Sequence, residues 1–258
     1  MHPGTALRLI FPAFVPGIVV RRVFGRLSWM EVQYFFEERT TFLRYYYDQA
    51  GGPFLKVQKQ IEAKEKPYDK DSGDPDEPPY LEEWSAAADA LSLLGRSCIS
   101  MLSATLKLYF MEWSAELGFR PAKKKSRDDG WIGSYRTAFE EKLKHNWDIC
   151  HVDLSILEQI EMVRNHDQHP RKITTLNVYH EKRDFKKYPD PFFLSEVGRK
   201  ELAENPDGDG VFMFANEVSV TRDKLFRAID ECERLVDWLE PQLMTAKYGN
   251  PTGFPIRQ

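Results

Sequence analysis

The segment Glu161-Met162-Val163-Arg164-Asn165-His166-Asp167-Gln168-His169-Pro170 gathers the residue types of this chain best suited to chemistry. Arg164 brings a charge that never titrates near neutrality, and His169 an imidazole that does. Held near one another, the two suit cleavage of a phosphodiester. Arginine grips a phosphate through parallel N–H groups and stabilises charge that develops on its oxygens. Histidine takes a proton from a ribose oxygen, or returns one. Asn165 can orient a neighbouring side chain or bind a phosphate oxygen. Pro170 disfavours helical geometry in the residue before it, which places His169 just past a helix end.

Two other readings use the same residues. His166 and His169, with Asp167 and help from His151 or Asp153, make a metal-like cluster, since two histidines at i and i+3 share a helix face. No flanking Cys or Glu completes a known ligand spacing, so neither metal nor cofactor is expected. In the plainer reading, Arg164 bonds the carbonyls at its own helix end and His169 is an ordinary loop residue. The sequence holds no G-x-x-x-x-G-K-[ST] loop, no G-x-G-x-x-G after a strand, no C-x-x-C, no H-E-x-x-H and no G-x-S-x-G elbow. Kinase, dehydrogenase, zincin and elbow-type hydrolase readings therefore lack support.

Arg164, Asn165 and His169 together resemble the motif of the HEPN superfamily, in which Arg is followed after four to six residues by His, most often with Asn, Asp or His directly after the Arg. In a chain of this composition, chance gives about 0.4 Arg-x4-His pairs and about 0.01 with Asn in place. The resemblance implies a small helical bundle with the motif at a helix end. It implies a metal-independent endoribonuclease in which the 2′-hydroxyl attacks the adjacent phosphorus and leaves a cyclic phosphate. It further implies RNA as substrate and a homodimer whose two motifs meet at the interface. Members serve as toxins, opposed by an antitoxin or other partner protein, or in antiviral defence. Others are non-catalytic modules that bind nucleotide, RNA or protein. Arg171 stands where toxins paired with small nucleotidyltransferases carry Tyr, so modification at that position is not expected.

Helices must position these residues. Residues 30–50 read as a helix through Val32, Phe35, Phe36, Phe42, Leu43, Tyr46 and Tyr47, stopped by Gly51-Gly52-Pro53, with a second, more polar helix over 54–66. Residues 67–79 read as an acidic linker. Leu81–Leu117 carries one apolar stripe, Trp84 through Leu94, Cys98, Leu102 and Tyr109 to Trp113, and Gly118 stops it. Residues 119–130 form a basic loop with Lys123 to Arg127, read as solvated. Tyr135, Phe139, Leu143 and Trp147, spaced by four, predict a short helix. Asp153 caps another from Leu154 to about Gln168, with Leu157, Ile160 and Val163 inward. Residues 171–219 contain strand-like Thr174–Tyr179 and Val211–Phe214 and predict a β-hairpin insertion. The last helix spans about Arg222 to Glu240, capped by Thr221, with Leu225, Ile229, Cys232, Val236 and Leu239 as its seam. The tail after Pro241 is expected to be irregular.

The fold class expected is mainly α, a HEPN-like helical bundle with a small β-hairpin insertion. The bundle is placed at 81–243, with the insertion at about 171–219. Residues 30–80 are read as N-terminal helices and linker, and 244–258 as an irregular tail. Residues 1–29 hold four arginines and no acid, and prolines break their apolar run, so they read as an irregular extension outside the core. Twelve apolar residues fall short of the ~20 needed to cross a bilayer. No integral membrane association is expected, and the chain is read as cytoplasmic. A net charge of −4 excludes a wholly basic nucleic-acid-binding particle, leaving only a local site. The three cysteines, Cys98, Cys150 and Cys232, sit in helical patterns and are expected to be small buried hydrophobes.

Overall fold

A computed structural model describes residues 31–70, 78–121, 130–144, 146–169, 176–204 and 216–249. Among them are seven α-helices and one short 3-10 turn, and no helix is long and apolar enough to cross a membrane. The readings of residues 1–29, of Lys123 to Arg127, of Val211–Phe214 and of the tail beyond Gly249 lie outside the described residues.

Helix α1 spans Glu31–Glu62 and α2 spans Leu81–Glu116. The expected break at Gly51-Gly52-Pro53 is absent, and α1 runs through it. Gly51 is buried, and a Cβ there would sit 3.3 Å from the Leu91 side chain, so the glycine admits close packing on α2. Pro53 is exposed and costs α1 one backbone hydrogen bond, which the long contact with α2 offsets. Phe36, Leu43 and Tyr47 of α1 join the same core as α2 and α7, whereas Phe35, Phe42 and Tyr46, on the neighbouring positions, are exposed because only one stripe of α1 meets the bundle. Helix α2 ends as expected. Gly118, at φ +68°, lets its own N–H reach the Ala115 carbonyl, and the Phe119 N–H reaches that of Ser114, a Schellman closure.

Helix α2 is about 54 Å long at 1.5 Å per residue. It packs against α1, against α4 (Leu154–Gln168) and against α7 (Arg222–Tyr248). This explains why burial on α2 is wider than one stripe. Leu94, Cys98, Leu102 and Tyr109 are buried as expected, but so are Arg96, Ile99, Leu106 and Phe110. Helix α3 (Trp131–Leu143) brings Tyr135 and Phe139 onto Phe110, and Trp147 of the 3-10 turn Trp147–Ile149 completes that aromatic cluster. All three cysteines are buried.

The seam of α7 is borne out, with Leu225, Ile229, Cys232, Val236 and Leu239 all at 0–1% exposure. The helix continues through Pro241 to Tyr248, beyond the expected end, because Leu243 is fully buried and Met244 packs on the core. No β-hairpin is found among the described residues of 171–219, which hold two short helices, α5 (Lys182–Lys187) and α6 (Glu196–Glu204), and no strand. Residues 216–219 instead lie between two short extended pieces, through the isolated bridges Tyr179–Glu217 and Leu194–Val218. A reciprocal cap between Glu181 and Asp184 turns the chain into α5 before pairing can extend.

Glu240 of α7 lies 7% exposed in this core, where it accepts bonds from Tyr109 Oη at 2.6 Å and Trp113 Nε1 at 3.0 Å. Burial pushes its carboxyl up to about 7 from 4.5, although both donors pull the other way. The folded chain therefore holds this proton more tightly than the unfolded chain. That contribution is fully present below pH 4.5 and is lost as pH rises through about 7. Glu240→Gln, which keeps an acceptor oxygen, is expected to melt above the parent at pH 8, with the difference shrinking by pH 5; thermal melts at both values check this.

Candidate functional site

Asp153 starts α4 as expected, its carboxylate accepting from the N–H groups of Ser155 at 3.0 Å and Ile156 at 3.3 Å. Ile156, Leu157, Ile160 and Val163 point into the core. The polar residues of α4 reach out in several directions, and each fixes the helix against a different element.

Glu161 faces the start of α3 and accepts from the N–H groups of Trp131 at 2.9 Å and Ile132 at 3.3 Å. A carboxylate there meets the unpaired donors and the positive end of the α3 dipole. Asp167 accepts from Arg96 Nε of α2 at 3.1 Å and from Ser100 Oγ at 3.4 Å. His166 Nε2 lies 2.9 Å from Asp184 Oδ2 of α5. One turn or more earlier, Glu158 accepts from Tyr188 Oη at 2.7 Å and pairs with Lys187 at 2.9 Å. Gln159 accepts from the Phe192 N–H at 2.7 Å. The segment 181–192 is thus strapped along the outer face of α4.

Next to the strap, burial favours a neutral His180, and within it Asp184 is held ionised. Burial lowers His180 to about 4, against the pull of the Phe193 backbone and Asp184. Burial pushes Asp184 up, but the bonds from His166 and the Glu181 N–H outweigh it and leave the carboxyl below its ordinary value.

Arg164, Asn165 and His169 take no part in these anchors. Arg164 is partly buried, and its Nη1 donates to Asn165 Oδ1 at 2.8 Å. Asn165 and His169 are exposed. The His169 N–H closes the helix on the Asn165 carbonyl at 3.2 Å, and its φ of −127° has left helical geometry, as a residue before proline should. The structure therefore joins Arg164 to Asn165 and Asn165 to His169, but not the guanidinium to the imidazole directly. The metal-like set is not assembled. His166 is committed to Asp184, Asp167 to Arg96 and Asp153 to its cap, and His151 is exposed. Among the described residues no group of three or more His, Cys, Asp or Glu could hold a metal ion.

Sequence reasoning missed Arg96, Glu161 and Asp184 as the partners that fix α4. Arg96 had a signal: a lone cation within the apolar run 90–102 of a helix. Glu161 and Asp184 had none, because their partners are 30 and 18 residues away.

Gly130 shows how closely Glu161 is seated. A Cβ at Gly130 would lie 2.2 Å from Glu161 Oε2 and 2.7 Å from its carboxyl carbon. Gly130→Ala must push the carboxylate off the α3 amides, so a loss of about 1–3 kcal/mol is expected in chemical denaturation.

Comparison of the chain with protein-family models, with curated proteins and with solved structures finds no match to any of them.

Proposed function

We propose that this chain is a metal-independent endoribonuclease of HEPN type, with Arg164, Asn165 and His169 as its reacting site. One observation carries the reading. Among the described residues, the helix end 161–169 commits its acids and His166 to neighbouring elements, while Arg164, Asn165, Gln168 and His169 bond no other element.

In this reading Arg164 holds the scissile phosphate, with its fork oriented by Asn165. His169 takes the proton of the ribose 2′-hydroxyl as that oxygen bonds to phosphorus. The bond from phosphorus to the 5′-oxygen breaks, and that oxygen leaves with a proton. The products are a 2′,3′-cyclic phosphate and a 5′-hydroxyl, and no water or metal is consumed.

A second copy of the chain supplies the second Arg–His pair. Support comes from α2, the helix that holds Asp167. Leu93, Met101, Leu108 and Met111 are 40–45% exposed there. They follow steps of eight, seven and three, the spacing of one continuous line along a helix. An apolar line on α2, the helix against which the motif-bearing α4 packs, suits an isologous contact. A role as a toxin with an antitoxin partner, or in antiviral defence, within the cytoplasm, goes with this reading.

His169→Ala should retain RNA binding and lose about 10²–10⁴ in cleavage rate, while Arg164→Ala should weaken both. Arg164→Lys should restore little, because lysine lacks the planar fork. Cleavage assays and filter binding on the same preparations check this. Unchanged cleavage by His169→Ala sinks the reading, and binding without cleavage by the parent favours the non-catalytic RNA-binding module. Met101→Glu with Leu108→Glu should convert a dimer to monomer in sedimentation; a parent that is already monomeric contradicts the two-copy site.

A further inference from the structure

Arg96 is among the largest side chains buried in this protein, at 1% exposure. Its guanidinium is divided three ways. Nη1 donates to Ser92 Oγ at 2.6 Å, Nε to Asp167 Oδ1 at 3.1 Å, and Nη2 to the carbonyl oxygen of Leu176 at 2.7 Å. Ser92 lies one turn back on the same helix. The other two acceptors belong to different parts of the chain, one on each side of His169. Asp167 precedes it by two residues and Leu176 follows it by seven. Ser100 Oγ adds a second bond from α2 to Asp167 at 3.4 Å.

A buried guanidinium is costly unless its donors are matched, and its planar fork holds its acceptors in fixed relative positions. The chain around His169 is therefore fastened to α2 at both ends, rather than projecting from α4 alone. We propose that Arg96 is a positioning residue for His169: a clip that holds Asp167 and the Leu176 carbonyl together and so fixes where the imidazole stands relative to Arg164. The proposal rests on the ribonuclease reading. Arg96 touches no substrate in it; it acts through Asp167 and Leu176. Lysine in its place carries one ammonium centre and cannot serve both acceptors with the same geometry.

The test compares the full-length parent with Arg96→Lys and with Tyr109→Phe, a core change remote from the clip that removes one bond to Glu240. Two quantities are read. The first is the rate of trypsin cleavage after Arg171 or Lys172, bonds that lie between the clipped ends, followed by mass spectrometry. The second is kcat and KM for RNA cleavage, taken separately. Arg96→Lys should speed cleavage at 171 and 172 about tenfold, since proteolysis follows the population of the opened form. It should lower kcat by about tenfold or more, through misplacement of the imidazole, with KM within about twofold because Arg164 stays on its helix. Tyr109→Phe should lower the melting temperature while leaving kcat and the cleavage at 171 and 172 as in the parent. Parent-like kcat in Arg96→Lys overturns the proposal, as does a rise in proteolysis spread evenly over the chain. Should Arg96→Lys fail to fold, Asp167→Asn, which keeps the acceptor oxygen without the charge, is read by the same two measures. If the parent cleaves no RNA, the ribonuclease reading has failed. The trypsin arm then still decides whether Arg96 is a clip, with an unchanged rate at 171 and 172 overturning it.

Discussion

A helix buried on three sides must match every polar group it carries, and α2 is that helix here. Thr105 and Ser114 turn their hydroxyls onto carbonyls of α2 itself, Met101 at 2.9 Å and Met111 at 2.9 Å. Arg96, Tyr109 and Trp113 cannot be satisfied in that way alone, and each reaches another element. Arg96 meets Asp167 of α4, while Tyr109 and Trp113 meet Glu240 of α7. These few bonds do more than avoid a desolvation cost. Apolar side chains alone would let α4 and α7 slide by a turn along α2, whereas one acceptor at one position sets the register. Removing one partner of such a buried pair typically costs about 3–5 kcal/mol, which no slide of the helix recovers.

With α4 set in register, its remaining polar residues fall into two groups. Those facing α2, α3 and the 181–192 segment are tied to them. Those at the C-terminal end, Arg164, Asn165, Gln168 and His169, bond no other element among the described residues. The same geometry separates anchored from exposed side chains among residues adjacent in sequence. His166 and His169 are three positions apart, yet one is held against a buried carboxylate and the other is exposed. An imidazole bound to a buried acid serves as an anchor, while an exposed one can exchange protons with solvent.

Much of this was legible in the sequence, for physical reasons that differ by element. The cap at Asp153, the Schellman glycine at 118 and the α7 seam are local signals: each depends on residues within a turn or two of one another, so spacing reveals them. The end of α4 at Gln168, with His169 past it, was legible for the same reason. What failed depended on distant partners. Gly51-Gly52-Pro53 has strong local breaking power, but packing against α2 overrides it. Pro241 stands inside α7 because Leu243 beyond it is buried. The β-branched and aromatic stretch at 174–179 looked like a hairpin strand, but residues 178–180 pair for only one or two positions before the Glu181–Asp184 cap begins α5. The partners of α4 were hidden because a lone Arg96 or Glu161 does not name the residue it will bond.

The central claim is that an arginine and a histidine, without a metal, cleave RNA by attack of its own 2′-hydroxyl. End-group analysis of RNA treated with the purified chain in EDTA tests it most directly. The account predicts fragments ending in a 2′,3′-cyclic phosphate and beginning with a 5′-hydroxyl. RNA in which a 2′-deoxynucleotide replaces the residue at the cut site should remain whole there. Cleavage that stops in EDTA and returns with zinc or manganese, or cuts that persist at a 2′-deoxy position, would contradict it.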